Sequence, residues 1–522
     1  MKRALPLIVI TLFLAGIFFV PVGITNTPAR HQEALPENEA INTPFSGSFL
    51  PLDKQVRVAI YDEPNTTLPE YATGLGMQFS NEVAALITLL EGAGYIVTTL
   101  NVHDILNHQL KTADYDVLIL ADNYPRENIT NFVDEFYLGG GGVLGLNAAF
   151  GYLLYSGMIM PEAKGDDAYG GLWDEESWST HKIAQRHPIT KSVQVDDTVV
   201  EPSHDAKEFF FGSYIKENSV VAPYFEVVAN QSDGSGYSSI VCLDNVLKGG
   251  RVVGMAANTT TITSDMGDII IDAVEWLCPR PKGRILFDVS HRNFYPVDTW
   301  DPTQYTGAPR FSSFRETLVN KSYTFDKLWP SAAGNLTSAN LAPYDLLVLN
   351  MPEYNFTLDE IAAISDWVSV GGGLFLMGDY DGFLEENQNI NYLLANYDLR
   401  MNLTENFNPG TFTTTAFAEH PTVENINELT FSGGSYVNCT GTAYPLVMQG
   451  ADTVVASQEI GAGRIMLAGD INFLASEIEE SDNVVYAANV VNWLDSWDAD
   501  VLVHQSYHIS HLPAGGSEYR SS

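Results

Sequence analysis

Two short stretches decide the fold: GGGVLGL (Gly140–Leu146) and GGGLFLM (Gly371–Met377). In each, three glycines lead into a run without a polar residue. Strands of that kind are buried on both faces, because a strand with one wet face alternates apolar and polar residues. Helical stretches precede both, at Ile129–Leu138 and Leu358–Val370, and a further apolar run lies upstream of each helix, YDVLIL (Tyr115–Leu120) and YDLLVL (Tyr344–Leu349). Strand, helix and strand in this order imply parallel strands joined by right-handed crossovers.

Working outward, further segments pair in the same order. VRVAIYDE (Val56–Glu63) matches GRILFDVS (Gly283–Ser290), and HPIT (His187–Thr190) matches HPTV (His420–Val423). KGGRVVGMA (Lys248–Ala256) matches GAGRIMLAG (Gly461–Gly469), setting Arg251 opposite Arg464, and EWL (Glu275–Leu277) matches NWL (Asn492–Leu494). Kept order of this kind predicts an internal duplication into domains 54–280 and 281–498. Each is expected to be an α/β, doubly wound, flavodoxin-like domain with a mainly parallel sheet. Gly151–Pro223 reads as a long polar insertion, 25–53 as a linker and 499–522 as a tail. Trp276 and Trp493, on the last helix of each domain, read as core anchors.

Acidic residues number 65 against 26 basic, for a formal charge of −39. Such a surface repels phosphate backbones and anionic headgroups, so no nucleic-acid partner is expected. Met1-Lys2-Arg3 followed by an apolar run to Ile24 predicts a signal peptide or an uncleaved signal anchor, the only membrane contact expected. The bulk is then expected outside the cell, either free or anchored. Sequons at Asn65, Asn128, Asn230, Asn258, Asn320, Asn335, Asn355, Asn402 and Asn438 agree with that placement. The three cysteines allow one disulfide, Cys242 with Cys278 by proximity in the chain, and their spacing suits no zinc site. No cofactor or metal ion is expected.

The helix–GGG–strand–turn layout resembles that of the class I glutamine amidotransferases. The resemblance implies a nucleophilic Cys after the strand, but Asn147 and Gly378 stand there, so no catalytic residue is expected. On GGGVLGLN, HPIT and GGRVVGM the first domain resembles the ThuA-like branch, with Asn147 where that branch has His. The second resembles GIFT and DUF4350-type domains on ILFDVSHRNF (Ile285–Phe294), GGGLFLMGDYDGFLEENQNINYLLANYDL (Gly371–Leu399) and GAGRIMLAGDINFLASE (Gly461–Glu477). That resemblance implies a non-catalytic domain that binds a ligand or sugar.

Ligands of open α/β sheets bind beyond the carboxyl ends of the strands. The residues expected there are Asp62, Asp122, Asn123 and Asn147 in the first domain. In the second they are Asp288, His291, Asn350, Asp379, Asp381, Asp470 and Asn472, of which Asp288, His291, Asp379, Asp381 and Asp470 are the ligand-binding candidates. Carboxylates and amides hold sugar hydroxyls, and Tyr61, Tyr380 or Phe294 offers a ring to stack on. The same residue types also cap helices and turns. Gly378–Gly382 lacks the spaced oxygens of an EF-hand loop. His187 reads as a turn cap beside Pro188, and His504, His508 and His511 as part of a tail helix. The expected function is an exported, non-catalytic protein that binds a glycan or a protein partner at the cell surface. The competing expectations are a carbohydrate-active enzyme using carboxylates at a strand rim, and an accessory subunit of an ABC-type transporter.

Overall fold

The apolar runs form the centres of two sheets. The computed structural model describes residues 55–63, 83–121, 129–159, 173–209, 225–232, 238–244, 248–305, 307–332, 334–407 and 410–495. The N-terminal segment, the linker, Asp122, Asn123, Asn65, Asn128 and the tail histidines lie outside the described residues.

The first sheet is built from β1 (Arg57–Tyr61), β2 (Ile96–Leu100), β3 (Val117–Ala121), β4 (Gly142–Leu146), β5 (Trp173–Ile183), β6 (Thr198–Phe209), β7 (Phe225–Gln231), β8 (Ser238–Leu243) and β9 (Val252–Met255). Their order is β2-β1-β3-β4-β9-β8-β6-β5-β7. The second contains β10 (Arg284–Asp288), β11 (Thr324–Leu328), β12 (Leu346–Asn350) and β13 (Gly373–Met377). After the small ribbons β14 (Leu399–Asn406) with β17 (Ser435–Cys439), and β15 (Thr411–Thr414) with β16 (Leu429–Ser432), it is completed by β18 (Tyr444–Gln449), β19 (Asp452–Ile460) and β20 (Gly463–Ala468). Its order is β11-β10-β12-β13-β20-β19-β18.

In both sheets the parallel part runs second, first, third, fourth and last strand of the half. Both sheets then continue with antiparallel strands. The first sheet has four of these, and two of them, β5 and β6, come from the stretch read from sequence as an insertion. Its polar composition hid them, because antiparallel strands tolerate a solvated face.

Alternate residues of each central strand enter different cores. Val58 and Ile60 pack on one side of the first sheet, and Ala59 and Tyr61 on the other. Phe375 and Met377 pack on one side of the second sheet, with Leu374 and Leu376 on the other. The glycine triplets serve this packing. Gly140 and Gly371 take left-handed φ values of 98° and 128° to turn the chain out of the helix. A Cβ on Gly141 would meet the Phe136 ring, and one on Gly372 the Trp367 ring. On Gly142 and Gly373 it would meet the carbonyls of Leu277 and Leu494, at the ends of the last helices.

The two halves meet through β11, whose sequence TFDKL is too polar to read as a buried strand. Asp326 accepts from the Thr112 amide at 2.8 Å, the Thr112 hydroxyl at 3.0 Å and the Ala113 amide at 2.9 Å. Lys327, only 2% exposed, pairs with Glu135 at 2.9 Å, with Asp298 at 3.0 Å and with Asp301. Burial opposes its charge, but the three carboxylates outweigh that and raise its pKa. Trp329 donates its indole N–H to Glu135 at 2.9 Å and stacks on His108 with centroids 4.3 Å apart.

Candidate functional site

At the carboxyl ends of the second sheet the predicted residues separate into two groups and one outlier. The first group follows β10. Asp288 is fully buried and accepts from the Ser290 amide at 2.9 Å, the Ser290 hydroxyl at 2.5 Å and His291 Nδ1 at 2.8 Å. On the other side of the ring, His291 Nε2 lies 3.6 Å from Glu360. Burial disfavours the imidazolium, but Asp288 and Glu360 outweigh it and raise the His291 pKa. Glu360 also caps its own helix, Leu358–Ser369, through Thr357. Ser290 and Asp288 both address Nδ1, so the three do not form a nucleophilic triad. This group locks a buried turn.

The second group lies two strand steps away at Asp379 and three at Asp470, about 10 and about 14 Å across the sheet. Asp379 and Asp470 each follow their strand by two residues, and β13 pairs with β20 so that Met377 lies beside Ala468. Both carboxylates are buried. Asp379 accepts from the Tyr380 amide at 2.7 Å, and Asn387 clamps its backbone through both N–H and carbonyl. Burial pushes the Asp379 pKa up to about 7, against the pull of that amide. Asp470 accepts from the Ser432 amide at 2.7 Å and the Asn472 amide at 2.6 Å. Burial, and then the neighbouring Asp379 charge, push it well above the usual carboxylate range.

In front of this acid pair stands Asn472, half-buried. Its Nδ2 donates to the Ser432 carbonyl at 2.7 Å and lies 3.4 Å from Asp379. Its Oδ1 accepts from the Tyr295 hydroxyl at 3.2 Å. Tyr295 belongs to the segment after β10, which folds back over the rim. Asn350, at the end of β12, fixes it by donating to the Tyr295 carbonyl at 3.0 Å. The same segment brings a half-exposed aromatic group together. Phe294 lies 4.7 Å from Tyr295, 5.6 Å from Tyr305 and 4.5 Å from Phe383, and Phe383 lies 5.1 Å from Tyr380. Tyr295, Tyr305, Phe383 and Arg310 were not singled out from sequence, because only the return of this segment gathers them.

Asp381 is exposed, in the short turn Asp381–Phe383, apart from the buried pair. In the first half Tyr61 is fully buried and offers no stacking face. Asp62 is half-buried, with its pKa raised by burial and then by Glu63. Asn147 sits at φ 49° immediately after β4, a left-handed turn at the place where the amidotransferase resemblance implies a nucleophile. At Gly378 a side chain would collide with Met401 and Asn387.

The two HPxT turns are structural. The rings of His187 and His420 each accept from the backbone amide two residues on, both at 3.3 Å. Cys242 and Cys278 are buried thiols that are not bonded to each other, so the disulfide that their spacing allowed is not formed. Cys242 instead lies 3.8 Å from His187 Nδ1. Among the described residues no group of three or more His, Cys, Asp or Glu is arranged to hold a metal ion, and no helix is long and apolar enough to cross a membrane.

No protein-family model and no curated protein matches the chain. Solved structures similar to it include the mmIFT52 N-terminal domain, 18% identical over 41% of this chain and 98% of that one, with a TM-score of 0.35. A cytoplasmic protein of Salmonella typhimurium LT2 is 15% identical over 41% of this chain and 100% of that one, at 0.32. A ThuA-like protein from Bacteroides uniformis is 13% identical over 45% and 95%, at 0.30.

Proposed function

We propose that this chain is an exported, non-catalytic binding protein whose second-half rim takes a saccharide. The observation that carries the reading is the chain of contacts from Tyr295 through Asn472 to Asp379, flanked by half-exposed rings. Amide, phenol and carboxylate groups match sugar hydroxyls, and ring faces match the apolar C–H faces of a pyranose. The absence of catalysis is supported by Asn147 and Gly378, neither of which can act as the nucleophile of the resembled superfamily. The test is a glycan array probed with the full-length chain, with and without Ca²⁺. Binding lost in Asn472→Ala supports the reading, and an array with no signal overturns it.

Export rests on the basic start, the apolar run to Ile24 and the sequons. Asn355 and Asn438 are exposed and suited to carry glycans. Asn258 and Asn402 are buried, and their side-chain oxygens hold nearby amides, Thr260 at 2.9 Å and Thr404 at 3.0 Å. External protease on intact cells should remove the folded part. Full-length protein protected in the cytosol overturns this placement.

A second reading, a carbohydrate-active enzyme, is favoured by one observation. A carboxyl held near pKa 7, as burial holds Asp379, suits general acid–base work at neutral pH. Release of reducing sugar that Asp379→Asn abolishes would establish it.

A further inference from the structure

We propose that the saccharide bound at this rim is acidic, and that Arg310 receives its carboxylate, as a uronic-acid residue would supply. This rests on the saccharide reading above and adds the charge of the ligand.

The Arg310 guanidinium lies over two rings of the aromatic group, 5.1 Å from the centroid of Tyr295 and 5.8 Å from that of Tyr305. No carboxylate pairs with it among the described residues, and its Nε is buried without an acceptor. The chain holds 65 acidic residues against 26 basic ones, so a cation at this rim with no carboxylate beside it among the described residues stands out. The other buried or half-buried cations nearby have theirs: Arg292 pairs with Glu353 at 2.9 Å, Arg315 with Asp298 at 2.7 Å, and Lys327 with three acids.

Contact with two tyrosine rings holds the guanidinium at the rim, and the N–H groups of an arginine form a fork that suits a carboxylate. The Tyr295 hydroxyl donates to Asn472 and feels the charges of Arg310, Asp379 and Asp470. A sugar lying on the Phe294–Tyr305 rings would then reach hydroxyl partners at Asn472 and a carboxylate partner at Arg310. Asp379 and Asp470, buried behind Asn472, act as positioning residues for that amide. The proton that burial favours on them also lowers the negative charge an anionic ligand meets.

The test is binding of the full-length chain to an array of uronic-acid oligosaccharides and their carboxyl-reduced counterparts, at low and physiological salt. The acidic forms should bind about tenfold more tightly, as a charge-assisted bidentate pair allows. Arg310→Gln should abolish that preference while leaving the reduced forms bound, and Arg310→Lys should restore part of it. Binding of the reduced forms by the Gln variant also shows that its rim is folded. Equal binding of acidic and reduced forms overturns this inference alone, as does an acid preference that survives Arg310→Gln. If neither form binds, the saccharide reading falls and this inference with it.

Discussion

Arg464 donates to the carbonyl of Trp493 at 2.6 Å while its guanidinium lies 5.2 Å from the centre of the same indole. The other half repeats this: Arg251 donates to the Trp276 carbonyl at 2.8 Å and lies 4.8 Å from its ring. On each indole a histidine packs edge-on, His420 at 4.7 Å and His187 at 4.9 Å. Three sequence correspondences far apart in the chain, HPxT, the Arg of the last parallel strand and the final Trp, thus converge on one device. It ties the last helix of each half to its sheet and to the turn.

Trp493→Ala should therefore cost about 3–5 kcal/mol, as for other buried aromatics, since Trp493 is 6% exposed. Arg464→Ala should cost less, by losing the carbonyl hydrogen bond and the ring contact. Chemical denaturation of both variants checks the order, and an Arg464 loss equal to that of Trp493 would contradict it.

Burial lowers His187 and His420 to about 4 from the ordinary 6.5, with Arg464 adding to the effect at His420. Both stay neutral in the folded protein where the unfolded chain binds protons. Stability should then fall as pH drops from about 6.5 towards 4. Replacing both with Asn should flatten that limb of a stability–pH curve.

Asp379 works in the opposite sense. Its folded pKa of about 7 exceeds the ordinary 3.8, so its contribution is present at low pH and is lost as pH rises towards 7. Asp379→Asn should remove that loss, gaining stability relative to wild type at pH 8 but not at pH 4. Urea midpoints measured at the two values decide it.

Lys327→Met should destabilise the protein by about 3–5 kcal/mol, because Glu135, Asp298 and Asp301 would remain buried without their shared cation. Adding Glu135→Gln should recover part of the loss. Failure of the second substitution to recover any would place the cost in packing instead.

Purified chain should hydrolyse no glutamine, and thiol alkylation should leave ligand binding unchanged, since Cys242 is buried with its thiol pKa raised by burial and then by Glu226. An isotope-labelled glutamine assay measures the first. Hydrolysis that alkylation abolishes would reverse the reading of Asn147 and Gly378.

The sequence by itself did not show the polar strands β5, β6 and β11, but it determined the apolar central strands, the doubly wound class and the paired motifs. These follow from local properties: unbroken apolar runs, glycines where the chain must turn and pack closely, and helical spacing between. It also set Asp379 and Asp470 at strand ends, because position after a strand is read along the chain. It did not separate Asp288 and His291 from that pair, nor show that Asp381 faces solvent. Those outcomes depend on which strands lie side by side and which turns are covered. Only the tertiary structure brought the segment that carries Tyr295 over the rim, gathering Tyr295, Tyr305 and Arg310 with Phe383 and Asn472. Only it buried Lys327 among acids drawn from both halves. Contacts between residues far apart in the chain are fixed by packing and charge balance in three dimensions, which no periodicity along the chain records.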